Sequence, residues 1–138
     1  MSVTTTNAVV PGSYPLTITG SDGVLTHTTS VTLVANPVPA TDFTISAPAA
    51  ITVKRNSSGS ETVTITGLNG FTDTVNLSIS GVPSLVTATF KPTSVTGTGT
   101  STLTFVVDHR ATQGNYPLTI TGTDGPLVHS TAVTLTVN

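Results

Sequence analysis

Apolar and polar residues alternate along most of the chain. In the segment ETVTITG, Val63 and Ile65 share one parity and the threonines between them have the other. Alternation of period two in β-branched residues is typical of half-buried strands, and glycine and proline recur at turn spacing between the alternating segments. The pattern predicts strands near residues 43–54, 61–67, 73–80, 86–91, 101–107, 115–121 and 127–137. Seven short antiparallel strands in about a hundred residues indicate an all-β chain folded as a two-sheet sandwich.

A repeat lies within the chain. The segment YPLTITG occurs at residues 14–20 and again at residues 116–122, a spacing of 116 − 14 = 102 residues. Residues 11–36 align without a gap with residues 113–138, and 17 of the 26 aligned positions are identical. The two matched segments therefore have the same predicted strands and the same predicted register.

The repeat predicts the domain organisation. Residues 43–138 are expected to form one complete sandwich with strands A to G. Residues 1–36 are expected to be the last third of a preceding copy, with part of strand E followed by F and G, so that strands A to D of that copy lie outside the chain. Residues 37–42 contain Pro37 and Pro39, which predict an extended, semi-rigid linker.

The partial copy predicts an open apolar face. Six of its residues share the inward parity: Tyr14, Leu16, Ile18, Leu25, Val31 and Leu33. Burial of such side chains contributes roughly 1.5–3 kcal/mol each, whereas fixing each backbone residue costs roughly 1–2 kcal/mol. Residues 1–36 are therefore expected to contact another chain, as a head-to-tail fibre or as a closed dimer, unless a longer repeat protein supplies strands A to D.

Composition narrows the classes of partner. The charged fraction is 7%, against roughly 25% in ordinary soluble chains, and threonine takes most polar positions. The net charge of −2 offers no basic field for nucleic acid or an anionic membrane. No apolar run approaches the ~20 residues of a membrane span, and the first residues do not resemble an export signal. Because cysteine is absent, neither a disulfide nor a thiolate zinc site is expected.

Several polar residues could carry chemistry, and each has a structural interpretation. His27 and His129 occupy matched positions, and parity directs His129 toward the core near the start of strand G. Asp22 and Asp124 each precede a glycine between F and G, which predicts a hairpin turn. A calcium site would need several oxygen ligands, so no metal or other cofactor is assigned.

Two tyrosines and one lysine also have structural interpretations. Tyr14 and Tyr116 follow the E–F junction, where a tyrosine of a sandwich commonly bonds back to the backbone and fixes the corner. Lys54 and Asn138 are candidates for a lysine–asparagine isopeptide bond, which needs both side chains to be buried beside a carboxyl group. Glu61 could supply that carboxyl, but it lies beside the NSSGS segment and is expected to be exposed.

Catalysis is not predicted. The sequence has no nucleophile elbow, no paired-carboxylate signature and no phosphate-binding glycine loop. Threonine rows such as TGTGTSTLT would suit ice binding, but a twisted sheet presents such rows poorly. A glycan-binding module is the alternative to a structural one, although sugar sites usually recruit exposed tryptophan or tyrosine. Tryptophan is absent.

The motifs LNGFTDTVNLSISGVP, ATFKPTSVTG and GNYPLTITGTDG resemble the immunoglobulin-like repeats that occur in tandem in large secreted and cell-surface proteins of bacteria. The resemblance covers residues 42–138, and residues 1–36 look like the end of another copy. It implies an immunoglobulin-like sandwich and a secreted or cell-surface location. Tandem repetition, the stiff linker and the weakly charged surface favour a spacer or fibre-building role. Such modules accompany adhesins, fibres and secreted enzymes alike, so the fold alone does not define the function.

Overall fold

The computed structural model describes residues 4, 6 and 8–138. These residues form eleven strands and no helix: β1 (Gly12–Ser21), β2 (Thr26–Ala35), β3 (Asp42–Ser46), β4 (Ala50–Val53), β5 (Ser57–Leu68), β6 (Thr74–Ser80), β7 (Val86–Lys91), β8 (Ser94–Thr96), β9 (Gly99–Val107), β10 (Gly114–Asp124) and β11 (Leu127–Val137). No helix that could cross a membrane occurs among them. The chain divides into two compact units, Met1–Ala40 and Thr41–Asn138.

The first unit contains an antiparallel hairpin of β1 and β2. Between the strands, the Asp22 carboxylate accepts the backbone N–H groups of Val24 and Leu25 at 2.9 and 2.7 Å. These bonds hold the pKa of Asp22 below its usual value. Gly23 has a φ of +94°, which a residue without a Cβ adopts readily. The aspartate–glycine pair therefore forms the hairpin turn that the sequence predicts.

Strand E of the partial copy is predicted upstream of this hairpin. Most of that prediction falls on residues outside the described part of the chain. The described residues of this stretch, 4, 6 and 8–11, are not in a strand. The strands described in the first unit are thus β1 and β2.

The second unit is a sandwich of two sheets. One sheet has the strand order β3-β5-β9-β7 and the other has the order β4-β11-β10-β6-β8. Neighbouring strands are antiparallel except for β4 and β11, which run parallel. The inward residues of both sheets share a core that includes Val63, Leu103, Phe105, Leu118, Ile120, Val133 and Leu135. Since these side chains alternate with exposed or half-buried residues, the predicted parity is the observed one.

The first predicted strand of the complete copy, 43–54, is two strands in the structure. β3 pairs with β5 in one sheet, and β4 pairs with β11 in the other. The interruption contains Pro48, which has no N–H to donate and disfavours a regular strand around it. The segment therefore crosses from one sheet to the other, and its two halves contribute to both.

Further differences from the prediction concern β5 and β8. β5 begins at Ser57, because the turn is made by the two preceding residues, where Asn56 has a φ of +56°. The segment NSSGS consequently belongs largely to the strand and pairs with β9. β8 was not predicted, since its three residues are too few to show an alternating pattern. The second unit accordingly has nine strands rather than seven.

Candidate assembly site

The β1–β2 hairpin has the same register as the β10–β11 hairpin. Its first pair, Gly12–Ala35, corresponds to Gly114–Val137, and every later pair up to Ser21 follows with the same spacing of 102 residues. The repeated sequence therefore builds the same pair of strands twice. The turns differ slightly, since β10 and β11 extend one pair further toward their turn.

The two hairpins differ in what covers their apolar faces. In the second unit, four inward residues are at most 1% exposed: Leu118, Ile120, Val133 and Leu135. Their counterparts in the first hairpin are Leu16, Ile18, Val31 and Leu33. Ile18 is 39% exposed and Val31 44%, while Leu16 and Leu33 are half-buried. Side chains that form the core of one unit therefore face solvent in the other.

The remaining two residues of the predicted face lie at the ends of the same hairpin. Tyr14 is 36% exposed and Leu25 is 62% exposed, whereas their counterparts Tyr116 and Leu127 are half-buried. All six predicted residues thus belong to one hairpin whose matched face is covered in the second unit. We define the open face by these six residues.

Both tyrosines bond back to the backbone four residues upstream. The Tyr116 hydroxyl donates to the carbonyl oxygen of Thr112 at 2.9 Å, and the Tyr14 hydroxyl donates to that of Val10. The same bond therefore forms in both hairpins. This contact is local to the start of each hairpin.

A glycine at the inward position after the isoleucine was not singled out from the sequence. A Cβ at Gly122 would lie 2.8 Å from Val75 Cγ1, 3.1 Å from Phe43 Cε2 and 3.5 Å from Ile45 Cδ1. A side chain at this position would displace the core, so the glycine permits close approach of the facing strands. The signal was present in YPLTITG, where glycine takes the inward position that the alternation reserves for an apolar residue.

Gly20 is the counterpart of Gly122, and it faces open space. A Cβ at Gly20 would meet no heavy atom of the described residues within 4 Å. The space beside Gly20 is therefore open among the described residues, whereas the Phe43 ring fills the matched space beside Gly122.

His129 lies across the strand pair from Gly122 and contacts the start of β3. Its Nε2 is 2.7 Å from the Oδ1 atom of Asp42. The imidazole also meets the Phe43 ring edge-on, with ring centroids 4.8 Å apart and an interplanar angle of 86°. The hydrogen bond with His129, together with the backbone N–H of Phe43, holds the pKa of Asp42 below its usual value.

The position matched to His129 is His27, which pairs across the strands with Gly20. His27 is exposed. Among the described residues, the close histidine–carboxylate contacts are those of His109 and His129. The first hairpin thus presents the same histidine and glycine as the second, without the strand that contacts them there.

Glu61 is buried, contrary to expectation. It is 8% exposed, because its position on β5 has the inward parity of Val63 and Ile65. Neither carboxylate oxygen has a hydrogen-bond partner among the described residues, and burial raises the pKa of Glu61. Lys54 and Asn138 are exposed at the ends of β4 and β11, so the structure does not assemble the buried triad that an isopeptide bond requires.

Within the described part of the chain, no group of three or more histidine, cysteine, aspartate or glutamate residues is arranged to hold a metal ion. Asp124 lies at the end of β10 beside Gly125, whose φ is +51°. Asp124 therefore lies beside the β10–β11 turn, as predicted. Most of the predicted site residues lie on the open face of the first hairpin or on the matched face of the β10–β11 hairpin.

No family model matches the chain, and no curated protein matches its sequence. Solved structures of similar fold include domains 4 and 5 of the S-layer protein SbsC, with a TM-score of 0.54 and 16% identity over 94% of this chain. A longer part of SbsC gives a TM-score of 0.56 at 18% identity over 94% of this chain. The SrpA adhesin from Streptococcus sanguinis, in a mutant form, gives 0.53 at 16% identity over 72%.

The present chain spans 66% of the two-domain SbsC fragment, 17% of the longer SbsC structure and 59% of the adhesin chain. These similarities place the chain in a class of all-β sandwich domains that also occurs in S-layer and adhesin proteins. At 16–18% identity, these similarities show a shared fold and nothing further.

Proposed function

We propose that the chain is a structural, non-catalytic, immunoglobulin-like repeat module of an extracellular or cell-surface bacterial protein. In this role it acts as a spacer or fibre unit, and residues 1–36 contact another copy of the repeat. The observation that carries the proposal is the open face of the first hairpin, whose six residues match residues that help cover or form the core in the second unit.

The strand order supports the immunoglobulin-like assignment. The order β3-β5-β9-β7 corresponds to A-B-E-D, and β11-β10-β6 corresponds to G-F-C, which are the two sheets of an immunoglobulin-like sandwich. The β4 strand adds to the G strand, as the second half of a split A strand. On this assignment β1 and β2 are the F and G strands of another copy.

The surface location is supported by the proteins that share the fold. S-layer proteins and adhesins are surface proteins by name. The low charge and threonine-rich surface of the chain suit a module that contacts copies of itself, because closely packed repeats then bring few like charges together.

The direct test removes the first hairpin. The full chain and a variant lacking residues 1–36 are compared by size-exclusion chromatography with light scattering and by electron microscopy. We expect the full chain to form dimers or fibres over a micromolar concentration series and the shortened chain to remain monomeric, since Thr41–Asn138 has its own core. A full chain that is monomeric at every concentration, or a shortened chain that assembles equally well, contradicts the proposal.

A second variant distinguishes loss of the apolar contact from loss of the whole segment as the cause of impaired assembly. The double substitution Ile18→Ser and Val31→Ser makes the open face polar and leaves the β1–β2 backbone pairing possible. We expect this variant to assemble as poorly as the deletion. Binding on a glycan array above background would instead favour a glycan-binding module.

A further inference from the structure

We propose that Gly20 and His27 form a receptor for the first strand of a further copy of this repeat, a strand that carries the sequence Asp-Phe-x-Ile. The inference rests on the proposed function, because it treats the β1–β2 hairpin as the last two strands of a repeat. It goes further by assigning which strand of the partner docks at which residues.

The occupied form of this receptor is present in the second unit. There the strand β3 places the Phe43 ring against both Gly122 and His129, and a Cβ added to Gly122 would lie 3.1 Å from that ring. Asp42 then reaches His129 at 2.7 Å. Two neighbouring residues of β3 are therefore recognised by three contacts. Phe43 approaches Gly122 closely and meets His129 edge-on, and Asp42 forms a charge-assisted hydrogen bond with His129.

The empty form is present in the first unit. Gly20 and His27 are a cross-strand pair on β1 and β2, as Gly122 and His129 are on β10 and β11. The space beside Gly20 is clear of the described residues, and His27 is exposed. The receptor thus has both the gap for a ring and the basic partner for a carboxylate.

The occupant is a further copy of the repeat. Residues 42–45 read Asp-Phe-Thr-Ile, and in the second unit Phe43 is already buried and Asp42 already contacts His129. A strand for the first hairpin therefore comes from a copy of strands A to E other than this one. Recognition of the carboxylate by His27 makes the contact selective, because an apolar strand without the acid leaves the imidazole unpaired.

The experiment uses the full chain as receptor. The probe is a separate polypeptide that comprises residues 41–112, which holds β3 to β9 and lacks the final hairpin. We expect a 1:1 complex by analytical ultracentrifugation, with changes in the amide resonances of Gly20 and His27. Gly20→Val should abolish binding, because the added side chain fills the gap. Thr19→Val, one residue away on the opposite face, is the matched control and should bind as the parent does.

The histidine–aspartate contact is tested by a double-substitution cycle. His27→Ala in the full chain or Asp42→Ala in the probe should each weaken binding about 10-fold or more, as loss of a hydrogen bond to a charged group does. Combining both substitutions should weaken binding little further. Additive effects would overturn the assignment of this pair.

A fusion protein tests the same contact if the free probe aggregates. Here the residues 41–112 are joined directly to Pro11, so that residue 112 precedes the hairpin as it precedes Gln113 in the second unit. We expect slowed amide hydrogen exchange in β1 and β2, and its loss with Gly20→Val but not with Thr19→Val. Absence of protection in the fusion overturns the inference. A full chain that is monomeric but still binds the probe would instead refute only self-assembly.

Discussion

Replacement of Glu61 by methionine is expected to stabilise the second unit. The side chain is 8% exposed, and neither carboxylate oxygen has a partner among the described residues. An unsatisfied buried polar group costs about 1–3 kcal/mol. Methionine removes both oxygens, has a similar length and adapts to irregular space. The free energy of unfolding should therefore rise by about 1–3 kcal/mol at neutral pH.

The pH dependence has a definite sign. Burial raises the pKa of Glu61 above its ordinary value of 4.5, so the folded state retains this proton where the unfolded chain has released it. The contribution of Glu61 to stability is complete below about pH 4.5 and is lost as the pH rises through the raised pKa. Glu61→Gln keeps the shape and removes the titration, so its stability should vary less over this range.

The assay is chemical and thermal unfolding of the full chain and its variants in a pH series that begins below 4.5, the ordinary pKa of this carboxyl, and continues to above neutral pH. For a domain of 60–100 residues, each kcal/mol raises Tm by about 4–8 °C. Thr62→Met, on the exposed side of β5, is the control for a change in hydrophobicity alone. A Glu61→Met variant that is less stable than the parent at pH 7 would refute the reasoning, and so would equal pH dependence of the parent and Glu61→Gln.

The remaining predictions concern the two hairpins. Ile120→Ala should lower the free energy of unfolding by about 2–5 kcal/mol. Ile18→Ala, at the matched exposed position, should lower it by under about 1 kcal/mol in a monomer. Equal losses for the two variants in dilute solution would mean that the open face is covered. Leu77→Ala should cost less than Ile120→Ala, since Leu77 is only half-buried. Tyr116→Phe should cost about 1 kcal/mol through the lost bond to the backbone, and an unchanged Tm would contradict that role.

Alternation along the chain was sufficient to predict most strands and the inward faces. It succeeded because a two-sheet core buries every second residue of a strand. It failed where local geometry decides: at Pro48, where the first strand changes sheet, and at β8, which is too short to show a period. The parity that places Val63 inward also applies to Glu61, although a carboxylate is usually exposed.

The candidate site could be predicted in part. The six residues of the open face follow from the repeat and from parity. The contacts that Gly122 and His129 make with β3 could not be predicted, because Asp42 and His129 are 87 residues apart in the sequence. Only the folded arrangement of β3 against β10 and β11 brings those groups together.

The parallel pairing of β4 with β11 has a mechanical consequence. If tension applied to the two ends of the second unit passes beyond β3 and reaches β4, it draws β4 toward its beginning and β11 toward its end, so that these two strands are loaded in opposite directions along their length. The backbone bonds between them, including Arg55 N–H to Asn138 O at 2.8 Å and Thr134 N–H to Ala49 O at 2.9 Å, run across that direction. Pulling therefore loads these bonds together as a group, instead of opening them one after another from an end.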